Sequence, residues 1–225
     1  MFEALILAGG KGTRLKSVTG DLPKPMVEVN GQPFLYILMK RLVEQGCSRI
    51  VLSLCYQAEY IIERINRDKP VSCEVDFVVE EYPFGTGGAI KLASSKINSS
   101  KFLVLNGDTM SEIDYQSMFD FSKDTDLVIS GVNIDDVSRY GTLKLDEKNN
   151  VVAMLEKGVT GGGVINSGIY LIKTDLIRNF PLTEFSFEND FVKSFNGKFK
   201  AFVSNGYFVD IGIPEDYYKA CKTIK

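Results

Sequence analysis

The sequence predicts an α/β fold: a mixed, mostly parallel sheet flanked by helices, with a small β-rich part in the second half. Three observations carry that expectation. Short continuous apolar runs recur through the first half, the pattern of strands buried on both faces. Segments with apolar residues at helical spacing lie between them, which gives a βαβα rhythm. From about residue 133 onward, extended runs joined by turn residues replace that alternation.

Each element follows in order. FEALILA (2–8) reads as a first buried strand. Pro33 opens a helix with Phe34, Leu35, Leu38, Leu42 and Val43 on one face, and Gly46 ends it. RIVLSL (49–54) is a second strand, AEYIIERIN (58–66) a helix and CEVDFVVE (73–80) a third strand. Helical character resumes from Gly87 to Ser95. KFLVLN (101–106) is again a buried strand, a helix is expected around 114–122, and DLVISGV (126–132) is a strand. TLKLDEKNNVVAMLEKG (142–158) reads as two strands joined by Glu147-Lys148-Asn149-Asn150. VINSGIYLIK (164–173) is a strand and FENDFVKSF (187–195) a helix. FKAFVSNGYFVDI (199–211) is expected to be a hairpin, and PEDYYKACKTI (214–224) a closing helix begun by Pro214. No Pro/Ser-rich linker or charge block divides the chain. A single domain over 1–225 is therefore expected, its second half grafted onto the same sheet.

The bulk properties narrow the function. The chain has 225 residues, 44% of them hydrophobic, enough for one substantial core. A net charge of -3 gives no general attraction to nucleic acid or anionic membrane. No apolar run approaches the roughly 20 residues of a membrane helix. The start, MFEALILAGG, lacks a basic n-region and reads as a strand rather than a signal peptide. Cys47, Cys55, Cys73 and Cys221 form no CxxC pair, which suits reduced thiols in the cytoplasm. There is no histidine, so Ser-His triads, Cys-His dyads and histidine-ligated metals drop out together.

Four constellations could carry chemistry. Gly9-Gly10-Lys11-Gly12-Thr13-Arg14 follows the first strand, at the sheet edge where α/β proteins bind ligands. Its glycines let backbone N–H groups approach a polyphosphate, although the spacing fits neither GxGxxG nor GxxxxGK[ST]. A ligand-free glycine turn is the alternative. Arg14 and Lys24 weigh against it, because both suit phosphate charge. Asn106-Gly107-Asp108 ends a buried strand, and Asp210 follows a second apolar run. Either could turn the chain or cap a helix; together they could hold a hard cation. Glu80 through Ala89 leads from a strand into a glycine-rich helix start. Glu156-Lys157 and Asn166-Ser167-Gly168 lie in the second half, where a second substrate is expected, though a Glu-Lys pair is usually a solvated ion pair.

Taken in order, GGKGTRL, LPKPM, FGTGGA, NGD, EK, NSGIY and DIGIPEDY resemble the signatures of the bacterial sugar-1-phosphate nucleotidyltransferases, over nearly the whole chain. The resemblance implies a Rossmann-like catalytic domain, dependence on Mg²⁺, and the reaction NTP + sugar 1-phosphate → NDP-sugar + pyrophosphate. It implies a nucleotide-binding part over about 1–132 and a sugar-binding part over about 133–225. The nucleotide would lie against Leu7, Ala8, Gly9, Gly10, Gly12, Thr13, Glu80, Glu81, Gly85, Thr86 and Asp108. Arg14 and Lys24 would be catalytic, neutralising the reacting phosphates, and Asp108 and Asp210 would ligate Mg²⁺. Gly107, Gly141, Glu156, Lys157, Asn166 and Glu188 would bind the sugar phosphate. The missing histidine agrees with this, since a phosphate nucleophile is already ionised and needs no general base.

Among short members of that family the chain is most similar to those that guanylylate D-glycero-α-D-manno-heptose 1-phosphate. N-acetylmuramate 1-phosphate uridylyltransferases and mannose 1-phosphate guanylyltransferases share most of the motifs. No β-helix or acyltransferase domain is expected after the closing helix. A non-catalytic NTP-binding domain is the rival from another class; an NAD-binding oxidoreductase lacks its GxGxxG. The expected partners are an NTP and a sugar 1-phosphate, with no nucleic-acid polymer and no membrane; self-association is left open. A glutamate at the base pocket would favour guanine, whose N1–H and 2-amino group a carboxylate accepts as a pair. Alternation lets only one of Glu80 and Glu81 face the pocket. Glu80 is favoured by its spacing before Gly85.

Overall fold

The apolar run that opens the chain becomes the middle of a nine-stranded sheet. The computed structural model describes residues 1–197 and 199–224. The strands are Phe2–Leu7 (β1), Glu28–Val29 (β2), Gln32–Pro33 (β3), Cys47–Leu54 (β4), Glu74–Val79 (β5), Lys101–Asn106 (β6) and Thr109–Ser111 (β7). Leu127–Ile134 (β8), Thr142–Leu145 (β9), Val151–Leu155 (β10), Gly163–Lys173 (β11), Phe199–Ser204 (β12) and Phe208–Asp210 (β13) complete them. The helices are Lys16–Thr19 (α1), Phe34–Glu44 (α2), Ala58–Asp68 (α3), Gly85–Ala93 (α4), Tyr115–Phe121 (α5), Thr174–Arg178 (α6) and Pro214–Thr223 (α7).

The main sheet runs β10-β9-β11-β6-β1-β4-β5, with β8 on the other edge of β11 and β12 beyond it. β6, β1, β4 and β5 are mutually parallel. β11 and β10 run against the other strands of the nine. The mixed, mostly parallel sheet flanked by helices is the predicted fold class. Alternation splits the core into two layers. Ala4 and Ile6 face α2, α3, α5 and α7; Leu5, with Phe102 and Val104 of β6, faces α4 and α6. Burial on both sides is why these strands read as continuous apolar runs.

Two elements differ from expectation. Residues 199–211 are not a hairpin. β12 joins the main sheet parallel to β8, and β13 pairs antiparallel with β7 in a separate two-stranded ribbon. The turn between them leaves the sheet at Gly206, where a side chain would lie 2.4 Å from the Glu112 carbonyl. Tyr207 then locks onto Glu112 through their backbones, sending Val209 and Ile211 into the opposite core layer. The helix expected over 187–195 shortens to a π-helical segment, Phe187–Val192, whose Phe187 and Phe191 rings stack at 5.2 Å. Burying both rings on one face matters more there than a regular repeat. The helix expected from Gly87 begins two residues earlier, at Gly85. Short pieces such as α1, α6 and the β2–β3 ribbon lack any periodic signal and were not expected.

Among the described residues no helix is long and apolar enough to cross a membrane. All four cysteines are free. Leu5 is fully buried at the centre of the sheet. Leu5→Ala is expected to destabilise the fold by ~2–5 kcal/mol, the range for deleting a buried leucine side chain, read as a lower denaturant midpoint at unchanged slope.

Candidate active site

The carboxyl ends of β1, β4, β5 and β6 share one edge of the sheet, where open α/β sheets form their binding crevice. A cleft of about 330 Å³ lies there. Leu7, Ala8, Gly9 and Gly10 line it after β1, Ser53 and Cys55 at the end of β4, Glu80 after β5, and Asn106, Gly107 and Asp108 after β6. Pro83, Gly85, Thr86 and Ala89 close one side, and Lys24 and Pro25 another. Most of the expected nucleotide residues therefore meet in one place, together with the expected sugar-phosphate residue Gly107.

Gly12 and Thr13 are not among the lining residues, but Gly12 packs against Lys24, which is. Gly12 is left-handed, with φ 61°, and a Cβ on it would sit 2.5 Å from the Lys24 Cβ. The glycine leaves room for the buried lysine stem. Lys24 Nζ donates to Asp108 Oδ2 at 2.5 Å. Thr13 and Arg14 are exposed at the start of a short 3-10 turn.

The β7–β13 ribbon brings the two aspartates together. Thr109 pairs with Asp210, and the Ile211 N–H donates to the Asp108 carbonyl at 2.9 Å. The Gly212 N–H donates to Asp210 Oδ1 at 2.7 Å. Burial, and then the Asp108 charge, raise the Asp210 pKa; Lys24, the Gly212 N–H and Arg14 oppose them. Among the described residues no third carboxylate, cysteine or histidine completes a cluster able to hold a metal.

Of the two glutamates, Glu80 is buried in the cleft wall and Glu81 is exposed. Glu80 Oε2 accepts from the Phe84 N–H at 2.9 Å, and Oε1 accepts from the Ser53 hydroxyl at 3.4 Å. Burial raises its pKa against the pull of both donors. The glycines of FGTGG have a second partner besides any ligand. The Gly87 and Gly88 N–H groups donate to the Phe185 carbonyl at 2.9 and 3.4 Å, and the Phe185 N–H donates to the Phe84 carbonyl at 3.0 Å. A Cβ on Gly87 would lie 2.1 Å from the Phe185 ring. Two amides in the first turn of α4 are thus capped by the chain itself and are not free to hold phosphate.

The other expected sugar residues fall into two groups. The Asn166 N–H donates to the Gly141 carbonyl at 3.0 Å. Asn166 Nδ2 donates to Tyr170 Oη at 2.9 Å, which donates to Glu188 Oε1 at 2.7 Å. Thr86 Oγ1 donates to Glu188 Oε2 at 3.4 Å and accepts from the Phe187 N–H at 2.8 Å. Gly141, Asn166 and Glu188 are thereby tied to the edge of the nucleotide cleft. Glu156 and Lys157 stand apart and exposed. Lys193 Nζ donates to Glu156 at 2.7 Å and holds its pKa down. Ser53 and Asn106 line the cleft without having been assigned a role there, and Tyr170 joins two of the expected sugar residues. The lone polar residue inside RIVLSL was the signal for Ser53; a tyrosine in an apolar strand gave none.

The cleft at the strand ends is thus lined by glycines, a lysine and an aspartate, with Arg14 exposed in the turn after the glycine loop and Asp210 held against the Asp108 turn by backbone pairing. The nucleotidyl transferase family profile matches residues 3–225, and the chain belongs to that family. It is 38% identical over 218 residues to the D-glycero-alpha-D-manno-heptose 1-phosphate guanylyltransferase of Campylobacter jejuni, covering 96% of this chain and 97% of that protein. It is also 38% identical to the protein of that name from Aneurinibacillus thermoaerophilus, over 99% of this chain and 98% of that one. The crystal structure of HddC from Yersinia pseudotuberculosis matches with a TM-score of 0.95 and 56% identity over the full length of both chains. A second HddC structure, complexed with GMP-PN, matches with a TM-score of 0.94.

Gly87→Ala separates packing from helix propensity. Propensity alone would stabilise α4 by about 1 kcal/mol. The buried Phe185 ring cannot retreat, so a loss of ~1–3 kcal/mol is expected, measured as a fall in unfolding free energy.

Proposed function

We propose that this protein transfers the guanylyl group of GTP to a sugar 1-phosphate, with D-glycero-α-D-manno-heptose 1-phosphate favoured, forming the GDP-sugar and pyrophosphate. The names and near-complete coverage of its relatives support the reaction. One observation within the chain carries it furthest: a single cleft has a buried carboxylate, Glu80, on one wall and Lys24 with Asp108 on another. That is one group for a base with adjacent N–H donors, a lysine for a polyphosphate, and an aspartate that would reach the same phosphates through a cation.

In the reaction an oxygen of the sugar phosphate attacks the α-phosphorus of GTP. The bond from that phosphorus to the bridging oxygen breaks, and its electron pair leaves with pyrophosphate. The attacking phosphate is already ionised, so the protein's task is alignment and charge neutralisation. The backbone of Gly9 to Thr13 cradles the triphosphate. Lys24, now neutralising Asp108, turns toward the reacting phosphates, and Arg14 offsets charge on the leaving pyrophosphate. Enzymes of this family generally use a divalent metal. Asp108 and Asp210 fit one: two adjacent hard oxygen donors whose mutual repulsion a dication relieves. They would hold Mg²⁺, which when bound adds Lewis-acid neutralisation of the phosphate oxygens. Lys157 would hold the sugar phosphate, and Glu156, Asn166 and Glu188 the sugar hydroxyls. On this reading residues up to about 132 serve the nucleotide and the remainder the sugar. The free cysteines suit work in the cytoplasm.

Pyrophosphate release across the four NTPs and a set of sugar 1-phosphates tests the proposal. GTP with the heptose 1-phosphate is expected to be fastest, and a preference for UTP or CTP would overturn it. Asp108→Asn and Asp210→Asn are each expected to cut kcat by at least ~100-fold, with the far-UV circular dichroism unchanged. Glu80→Gln is expected to narrow the preference for GTP over UTP by about 1–3 kcal/mol, seen as the ratio of kcat/KM values. The same change in Glu81→Gln alone would move the role to its neighbour.

A further inference from the structure

The hydroxyl of Tyr170 has no place in the reaction, yet it sits at the centre of the polar groups on the sugar side. Tyr170 is only 1% exposed. Its ring is fixed edge-on against Phe187, with centroids 4.8 Å apart. The direction of each hydrogen bond at Oη is forced by chemistry. The Glu188 carboxylate can only accept, so the phenol donates to it at 2.7 Å. The Asn166 amide nitrogen can only donate, so the phenol accepts from it at 2.9 Å. The other end of the same amide is fixed too, because Asn166 Oδ1 accepts from the Gly168 N–H at 3.0 Å. Burial and the Glu188 charge push the phenol well above its ordinary pKa, so the proton it donates is not lost near neutrality.

This junction lies where β11 is irregular. The pairing of β11 with β8 shifts register between Asn166 and Tyr170, and Gly168 has φ 74°. A Cβ on Gly168 would lie 2.4 Å from Asn106 Nδ2, so the bulge presses on the turn that carries Asp108. On the other side, Glu188 is bonded to Thr86 at the edge of the nucleotide cleft. One buried hydroxyl therefore fixes two side chains between the aspartate turn and the base-binding segment.

We propose that Tyr170 is a positioning residue for the sugar substrate: its buried hydroxyl orients Asn166 and Glu188 so that their remaining donor and acceptor sites meet the sugar hydroxyls. The proposal rests on the guanylyltransferase reading above. Tyr170 need not touch substrate. A bond made to a misaligned partner is weakened or lost, and the sugar half of the site is where that loss appears.

Tyr170→Phe keeps the ring against Phe187 and removes only Oη. Steady-state kinetics of pyrophosphate release are expected to give a KM for the sugar 1-phosphate raised about 10-fold, the scale of one misplaced hydrogen bond, with the KM for GTP within about twofold. A hydroxyl serving only stability would lower the thermal midpoint and leave the ratio of the two KM values unchanged; that result overturns the assignment. A double-mutant cycle with Glu188→Gln supplies an independent measurement. The double variant is expected to raise the sugar KM no further than the worse single variant, because both changes break one unit. Strict additivity would overturn the proposal. Should the wild-type protein release no pyrophosphate from GTP with any sugar 1-phosphate, both this proposal and the reading beneath it fall. If wild type is active and Tyr170→Phe is indistinguishable from it, only the role of Tyr170 falls.

Discussion

Two like charges held side by side set the terms for everything around the cleft. Asp108 and Asp210 come from distant parts of the chain; burial first, and then the Asp108 charge, raise the pKa of Asp210. The fold pays for that contact with backbone pairing. Thr109 opposes Asp210 in the β7–β13 ribbon, and the Ile211 amide bonds to the Asp108 carbonyl itself. Side-chain repulsion is opposed by hydrogen bonds that do not depend on the charge state of either carboxylate. Lys24 supplies the nearest positive charge, and the absent side chain of Gly12 lets its stem lie buried there. Glycine loop, lysine and aspartates are thus one electrostatic assembly, although they occur far apart in sequence.

Glycine serves two different ends along the cleft. In the opening loop Gly12 makes room for another side chain of the protein. In FGTGG the close approach is made by the chain's own segment around Phe185, whose carbonyl occupies the Gly87 and Gly88 amides. The two loops look alike on paper, yet the second attaches α4 to the segment that leads into Glu188. Contact between the halves of the site is therefore made by backbone as well as by Thr86 and Glu188.

The βαβα half of the fold was legible because its strands are buried on both faces. Runs such as FEALILA and KFLVLN carry that environment in their composition. The error at 199–211 has the opposite cause. Two short extended runs joined by Asn205-Gly206 satisfy every local rule for a hairpin, and only the distant partners β8 and β7 decide that they separate. In the same way, the aspartates were visible as strand-end residues, while their meeting depends on a three-residue ribbon with no signature of its own. Alternation limited the cleft wall to one of Glu80 and Glu81, and spacing before Gly85 pointed to Glu80, the buried one of the two. Tyr170 could not be picked out, since in sequence it is one more large residue in an apolar strand.

The strand that delivers Asp108 is bonded along both edges, parallel to β1 and antiparallel to β11. The strand that ends in Asp210 belongs to a ribbon outside the main sheet. The pair is therefore mechanically unequal. One carboxylate follows a strand held along both edges; the other ends a strand held along one, with Val209 and Ile211 buried on either side of it as its anchors. Shifting Asp210 would drag two buried side chains with it, so the spacing of the pair is set by core packing as much as by backbone pairing.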